Sequence, residues 1–162
     1  MKIRNVLNAD AEQIARIYNY YIENSHSTFE TEVVSSSEMR NRIDETIGNY
    51  PFLVAEVAGE ITAYAFAHQY KSRRAYKNTA EVSIYVKNDC GEQGTGTKLC
   101  ENLFAELLQT QIHALIAGIA LPNEASIKLH ERFGFEKVAH FREVGFKFGK
   151  WIDVGYWELI NR

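Results

Sequence analysis

The sequence predicts an α/β or α+β fold in which one mixed sheet carries helices on its faces. Three observations carry that expectation. Apolar residues recur at helical spacing in four segments and as short strand-like runs in the others. Their order is β-α-α-β-β-β-α-β-α-β-β, which suits a sheet packed against helices. A glycine-bearing loop joins one strand to an amphipathic helix. At 162 residues, with 46% apolar and 24% charged side chains, the chain is expected to form a single domain over 1–162.

Lys2 to Val6 alternates weakly and is expected as an edge strand. Asp10 reads as a helix N-cap, with Gln13 as its reciprocal partner, and Ile14, Ile17, Tyr18 and Tyr21 continue that helix to about Glu23. Ser35 and Glu38 form a capping box, with Val34 and Met39 as a hydrophobic staple. Met39, Ile43 and Ile47 make the second helix's stripe, and Gly48 ends it. Residues 52–57 and 61–68 form a hairpin about Ala58-Gly59-Glu60.

Thr79 to Val86 is the next strand, with Val82, Ile84 and Val86 on one face and Glu81, Ser83 and Tyr85 on the other. Leu99, Leu103 and Leu107 mark the third helix. Leu115 to Ala120 reads as a buried strand, and Asn123 to Phe133 as the fourth helix, stopped by Gly134. Two strand-like stretches, about 135–143 and 151–160, close the chain.

A net charge of −3 gives no case for nucleic acid or an anionic membrane. No run approaches the roughly 18 apolar residues of a membrane span, and no secretory h-region precedes Asp10. Cys90 and Cys100 form neither a disulfide framework nor a Cys-x-x-Cys pair, so a cytoplasmic location is expected. The five histidines lack metal-ligand spacing, so no metal is expected. Cys90 has no histidine beside it in sequence and reads as a loop residue rather than a nucleophile.

The most informative stretch is Asp89-Cys90-Gly91-Glu92-Gln93-Gly94-Thr95-Gly96-Thr97-Lys98. Glycines let a backbone approach phosphates closely, and free N–H groups at a helix start favour anions. A P-loop fails because Thr97 stands where lysine is needed. A dinucleotide fingerprint fails because Leu99 stands where the third glycine belongs. Gly94-Thr95-Gly96 matches the second half of the Gln/Arg-x-x-Gly-x-Gly/Ala pyrophosphate loop of GNAT acetyltransferases. An ordinary strand-to-helix turn is the alternative.

Further segments extend that match. Asn19–Ser25, Thr79–Val86, Leu121–Glu131 and Arg142–Trp151, in this order and spacing, resemble the phosphinothricin N-acetyltransferase family over nearly the whole chain. The resemblance implies the GNAT fold, a mostly antiparallel mixed sheet flanked by about four helices. It also implies acetyl-CoA as co-substrate, a small amino-acid-like amine as acceptor, and a homodimer. Ile84, Tyr85 and Val86 would pair with the pantetheine arm, and Gly91, Glu92, Gln93, Gly94, Thr95, Gly96 and Thr97 would hold the pyrophosphate. The family loop opens with Arg or Gln and then Gly. Here Gly91 and Glu92 stand there, so weaker cofactor affinity is expected.

Glu81 resembles the family's general base, which an ammonium acceptor requires before it can attack a thioester. A solvated polar strand position is its plainer reading. Asn123, Ser126 and His130 share one face of the fourth helix. The first two would meet the pantetheine region, and His130 would assist proton removal or protonate the departing thiolate. A bystander histidine is the alternative. The basic run Lys71–Lys77 suits recognition of a carboxylate or phosphinate, and the resemblance places Lys71, Arg73 and Tyr76 at substrate positions, with Phe29 beside them; a solvated loop is the alternative. Direct transfer is expected, with a backbone N–H near a β-bulge at Ile84–Val86 as oxyanion donor. Two rival readings are the same fold acting on a polyamine or protein N-terminus, and a non-catalytic acyl-CoA-binding module.

Overall fold

A computed structural model describes residues 1–90 and 93–162. Its elements are β1 (Lys2–Asn5), α1 (Ala11–Asn24), α2 (Ser36–Thr46), β2 (Phe52–Val57), β3 (Glu60–Gln69), β4 (Thr79–Val86), α3 (Thr95–Leu108), β5 (Ala114–Ala120), α4 (Glu124–Arg132), β6 (Glu136–Lys147) and β7 (Lys150–Ile160). Short 3-10 turns at Asn8–Asp10 and Arg74–Tyr76 lead into α1 and β4. The strands form one seven-stranded sheet in the order β1-β2-β3-β4-β5-β7-β6. Every pairing is antiparallel except β4 with β5.

Local chemistry explains most boundaries. The Ser35 hydroxyl accepts the Glu38 N–H at 3.0 Å, and Val34 and Met39 are both buried, as a capped and stapled helix start requires. Glu38 does not complete the box; its carboxylate turns to Arg42. Ala58 and Gly59 both have positive φ (50° and 81°), the conformation that lets a two-residue turn follow the strands' twist.

The expected cap of α1 is corrected. The Asp10 side chain makes no cap bond to α1; it accepts the Leu7 N–H and a two-pronged bond from Arg4 at 2.8 and 2.9 Å. Gln13 is drawn away as well, its Oε1 accepting the Ile61 N–H at 2.9 Å. A guanidinium six residues upstream outcompetes the helix's own amides for the carboxylate.

Two apolar layers bury the sheet's faces. Ala63, Ala65 and Ala67 of β3 are fully buried against α3, whose Leu99, Leu103 and Leu107 complete that layer. Each such leucine contributes roughly 1.5–3 kcal/mol by leaving water. On the other face α1 and α2 cover Phe52, Val54 and Tyr64 with Ile14, Ile17 and Ile43. Glu81, Ser83 and Tyr85 share this second face with His68, Phe66 and Tyr64, their partners across the β3–β4 ladder.

β6 runs longer than expected, to Lys147, because two register shifts, at Lys137/Ala139 and Phe141/Gly145, keep it paired with β7. Asp153 secures the second, accepting from the Glu143 N–H at 2.9 Å and lying 2.8 Å from His140 Nε2.

Candidate active site

The parallel pair β4–β5 is short. Thr79, Ala80 and Glu81 face Ala114, Leu115 and Ile116, and beyond Glu81 the two strands share no further pairs. β4 stays with β3 as far as Val86, while β5 stays with β7 as far as Ala120. The gap is a slot of about 300 Å³, lined by Ile84, Tyr85 and Val86 on one side and Ala117–Ala120 on the other, with Asn123, Ser126 and His130 along its rim.

Strand geometry decides which amides look into the slot. The Lys87 N–H goes to Thr62 O on β3 at 2.7 Å, so by alternation the N–H groups of Ile84 and Val86 point the opposite way, toward the gap. The Val86 carbonyl, on the same edge, accepts the Tyr21 hydroxyl. The expected β-bulge at Ile84–Val86 is corrected: β4 pairs with β3 in unbroken register. Its open amides arise because β5 turns away, not because β4 kinks.

At the slot's outer end Gly94 takes φ +89°, and α3 starts immediately at Thr95. The positive end of the helix dipole therefore lies directly after Gly94, where an anion is favoured. Thr95 is buried, Gln93 is exposed and Thr97 is half-buried. A Cβ at Gly96 would lie 3.6–3.8 Å from Val86, Ile84 and Leu129, so a larger side chain would project among the slot's walls. Gly91 and Glu92, the expected loop opening, lie outside the described residues.

The face of α4 is organised by its own hydrogen bonds. Asn123 Oδ1 caps the helix by accepting the Ser126 N–H at 3.1 Å. His130 is buried against Phe104 and Phe135, and its Nδ1–H donates to Ser126 O at 2.8 Å. Burial pushes the imidazole's pKa down, against the opposing pull of the Ser126 carbonyl. A neutral ring with Nδ1 protonated leaves Nε2 able to accept a proton but not to give one.

Glu81 stands where the slot opens. Burial raises its carboxyl above the usual range, and the charge of His68 across the ladder opposes that rise. Gly118 makes room for it: a Cβ there would sit 3.5 Å from Glu81 Oε1 and 3.1 Å from Tyr156 Cε1. The Tyr156 hydroxyl is pushed up by burial and by the nearby Glu81 and Tyr70, against the opposing charge of Lys71. Sequence reading missed His68, Gly118 and Tyr156. Strand alternation could have put His68 on a face, but only the register sets it opposite Glu81.

The basic loop comes to the same place. Lys71 Nζ lies 5.0 and 5.4 Å from the ring centres of Tyr70 and Tyr76, which meet edge to face. Arg73 is exposed and accepts the Tyr76 N–H at its carbonyl. Phe29, 41% exposed, lies on Gly145 of β6, its ring filling the space of an absent side chain. The structure thus gathers Lys71 and Tyr76 near Tyr156 and Glu81 and sets Phe29 against β6. Among the described residues no cluster of three His, Cys, Asp or Glu could hold a metal, and no helix is long and apolar enough to cross a membrane.

The slot suits a long, thin ligand with an anionic end: open strand amides for an extended arm, a bare Gly96, and a helix start for phosphate. Comparison with known proteins agrees with that shape. Residues 3–155 match the family model described as an acetyltransferase (GNAT) domain. The phosphinothricin N-acetyltransferase of Streptomyces coelicolor is 37% identical over 98% of this chain and 95% of its own length. The L-methionine sulfoximine/L-methionine sulfone acetyltransferase of Salmonella typhimurium is 33% identical over 98% of the chain and 94% of its own. A phosphinothricin acetyltransferase from Sinorhizobium meliloti, solved in complex with acetyl-CoA, superposes with a TM-score of 0.94 at 31% identity. That match covers 98% of this chain and 87% of the other.

Proposed function

The chain belongs to the GNAT acetyltransferase family, and on that premise we propose that it acetylates the α-amino group of a small amino acid of the phosphinothricin or methionine sulfoximine type. The observation that carries this reading is the half-buried carboxylate of Glu81 at the point where β4 and β5 part. The co-substrate is acetyl-CoA, which supplies an activated acetyl thioester. The Ile84 and Val86 amides hold its extended arm, the start of α3 with Gly94–Thr97 takes the diphosphate, and Asn123 and Ser126 line its path.

Glu81 removes a proton from the acceptor's ammonium, since only the neutral amine is nucleophilic. A carboxyl raised by burial is better matched to that task than an ordinary one, because base efficiency improves as its pKa nears the working pH. An amide of β4 that faces the slot polarises the thioester carbonyl. His130, neutral at Nε2, serves as a proton acceptor at the slot wall rather than as a donor. Lys71 and Arg73 hold the acceptor's acidic groups, and Tyr76 and Phe29 flank its side chain. The chain works as one domain in the cytoplasm, and as a homodimer. For the dimer, the exposed apolar surface of Phe141, Val144, Phe146, Phe148 and Trp151 on β6, β7 and their turn supplies the contact.

A thiol-release assay tests the proposal. Methionine sulfoximine should turn over well and spermidine poorly, since cations ahead of β4 repel a polyamine. Glu81→Gln should lower kcat by about 10²–10⁴ while acetyl-CoA binding is kept. A near-normal rate for Glu81→Gln, or a preference for spermidine, would overturn it.

A further inference from the structure

The proposed reaction releases a net proton. The ammonium loses two protons as the N–C bond forms; one ends on the thiol when the C–S bond breaks, and the other must reach solvent. If Glu81 collects that proton, it needs a way out, because its carboxylate must be ionised again before the next turnover. Tyr156, on one side of Glu81, offers none: its hydroxyl is held protonated by burial and by the carboxylate itself.

The other side differs. His68 lies directly opposite Glu81 in the β3–β4 ladder, on the same face of the sheet, where Cβ atoms are about 4.5–5.5 Å apart. Its Nδ1–H donates to Gln69 O at 3.0 Å, which leaves Nε2 with a free lone pair. His68 also stands where two cavities meet. One, of about 340 Å³ beneath α2, includes Arg42 and Ser83; the other, of about 710 Å³, opens along Asn49, Gln69 and Lys77. Glu45 of α2 lines both.

We propose that His68 is the positioning residue behind Glu81, taking the proton the carboxylate has collected and passing it to solvent along the groove beside α2. The transfer is balanced. Glu81–COOH and neutral His68 become Glu81–COO⁻ and imidazolium, and the imidazolium then gives its proton to water or to Glu45. The charged and titratable groups around His68 allow this. Glu45 of α2 lines the same two cavities, Arg42 is already paired with Glu30 at 2.6 and 2.8 Å, Lys77 lines the larger cavity, and Tyr156 and Lys71 stand beyond Glu81. A cation at His68 also favours ionised Glu81.

The inference rests on Glu81 being the base, so Glu81→Gln is assayed in parallel with His68→Gln and His68→Ala. Both His68 variants are expected to lose about tenfold in kcat at low buffer concentration with the KM for acetyl-CoA unchanged. Added imidazole should restore His68→Ala. The acidic limb of kcat/KM should move to higher pH in both, because the cation that favoured the ionised carboxylate is gone. Wild-type kcat with an unmoved limb would overturn the proposal. So would a loss of rate that imidazole does not repair and that leaves the limb in place. An active Glu81→Gln removes the base assignment and this proposal together, whereas an inactive Glu81→Gln beside unaffected His68 variants removes only His68.

Discussion

Lys147 is the side chain whose replacement should connect stability to substrate binding. It is 5% exposed, and its Nζ donates to Ser25 O at 2.7 Å and Thr28 O at 2.8 Å, with a longer reach of 3.4 Å to Tyr21 O. These carbonyls end α1 and begin the loop that carries Phe29. Methionine would keep the apolar stem and remove the donor. Each carbonyl left buried without a donor costs about 1–3 kcal/mol, so two give about 2–6 kcal/mol. Burying the ammonium is itself unfavourable, which is why its pKa is pulled down, and that places the net cost in the lower half, about 2–4 kcal/mol. For a chain of 162 residues, where 1 kcal/mol shifts Tm by about 2–4 °C, Lys147→Met should melt about 5–15 °C lower by calorimetry. The acceptor's KM should rise, because the loosened loop carries Phe29. A Tm within about 2 °C of wild type would refute the reasoning.

Two other expectations follow from named groups. Burial raises the Asp10 carboxyl, but the Arg4 guanidinium and the Leu7 N–H outweigh it, and the net shift is downward. A carboxyl lowered by folding adds stability above its unfolded pKa and loses it as pH falls through the folded one. Asp10→Asn should therefore melt lower than wild type at pH 7, with the gap closing below about pH 4; a gap that persists to strong acid contradicts the assignment. Trp151 is 65% exposed and its ring meets that of Phe146 at 4.7 Å. Trp151→Glu should halve the sedimenting mass of the proposed homodimer, and an unchanged dimer mass would clear this surface of the proposed contact.

Much of the fold was legible because its signals are local. The Ser35 cap, the Ala58–Gly59 turn and the Asn123 start of α4 each depend on residues within a few positions, and each is found in the structure. β4 was bounded correctly for the same reason. What failed was decided by distant partners. Arg4 claims Asp10, Ile61 claims Gln13, and β7 keeps β6 paired past the expected end through register shifts. The site divides in the same way. Glu81, Lys71, Tyr76 and the α4 face could be named from the sequence by resemblance. His68, Gly118 and Tyr156 could not, because their nearness to Glu81 depends on strand register, on a missing Cβ and on the order β4-β5-β7. The splay that opens the slot belongs to the same class: nothing within β4 announces it.

Calorimetric titration of acetyl-CoA into the wild-type chain, Glu81→Gln and Gly96→Val tests the slot most directly. The wild type and Glu81→Gln should bind alike, since the carboxylate acts on the acceptor. Gly96→Val should lose most of the heat while keeping its circular dichroism, because its branches project among Ile84, Val86 and Leu129. Undiminished binding by Gly96→Val, or no heat from the wild type at millimolar ligand, would contradict the assignment of this cleft to the cofactor.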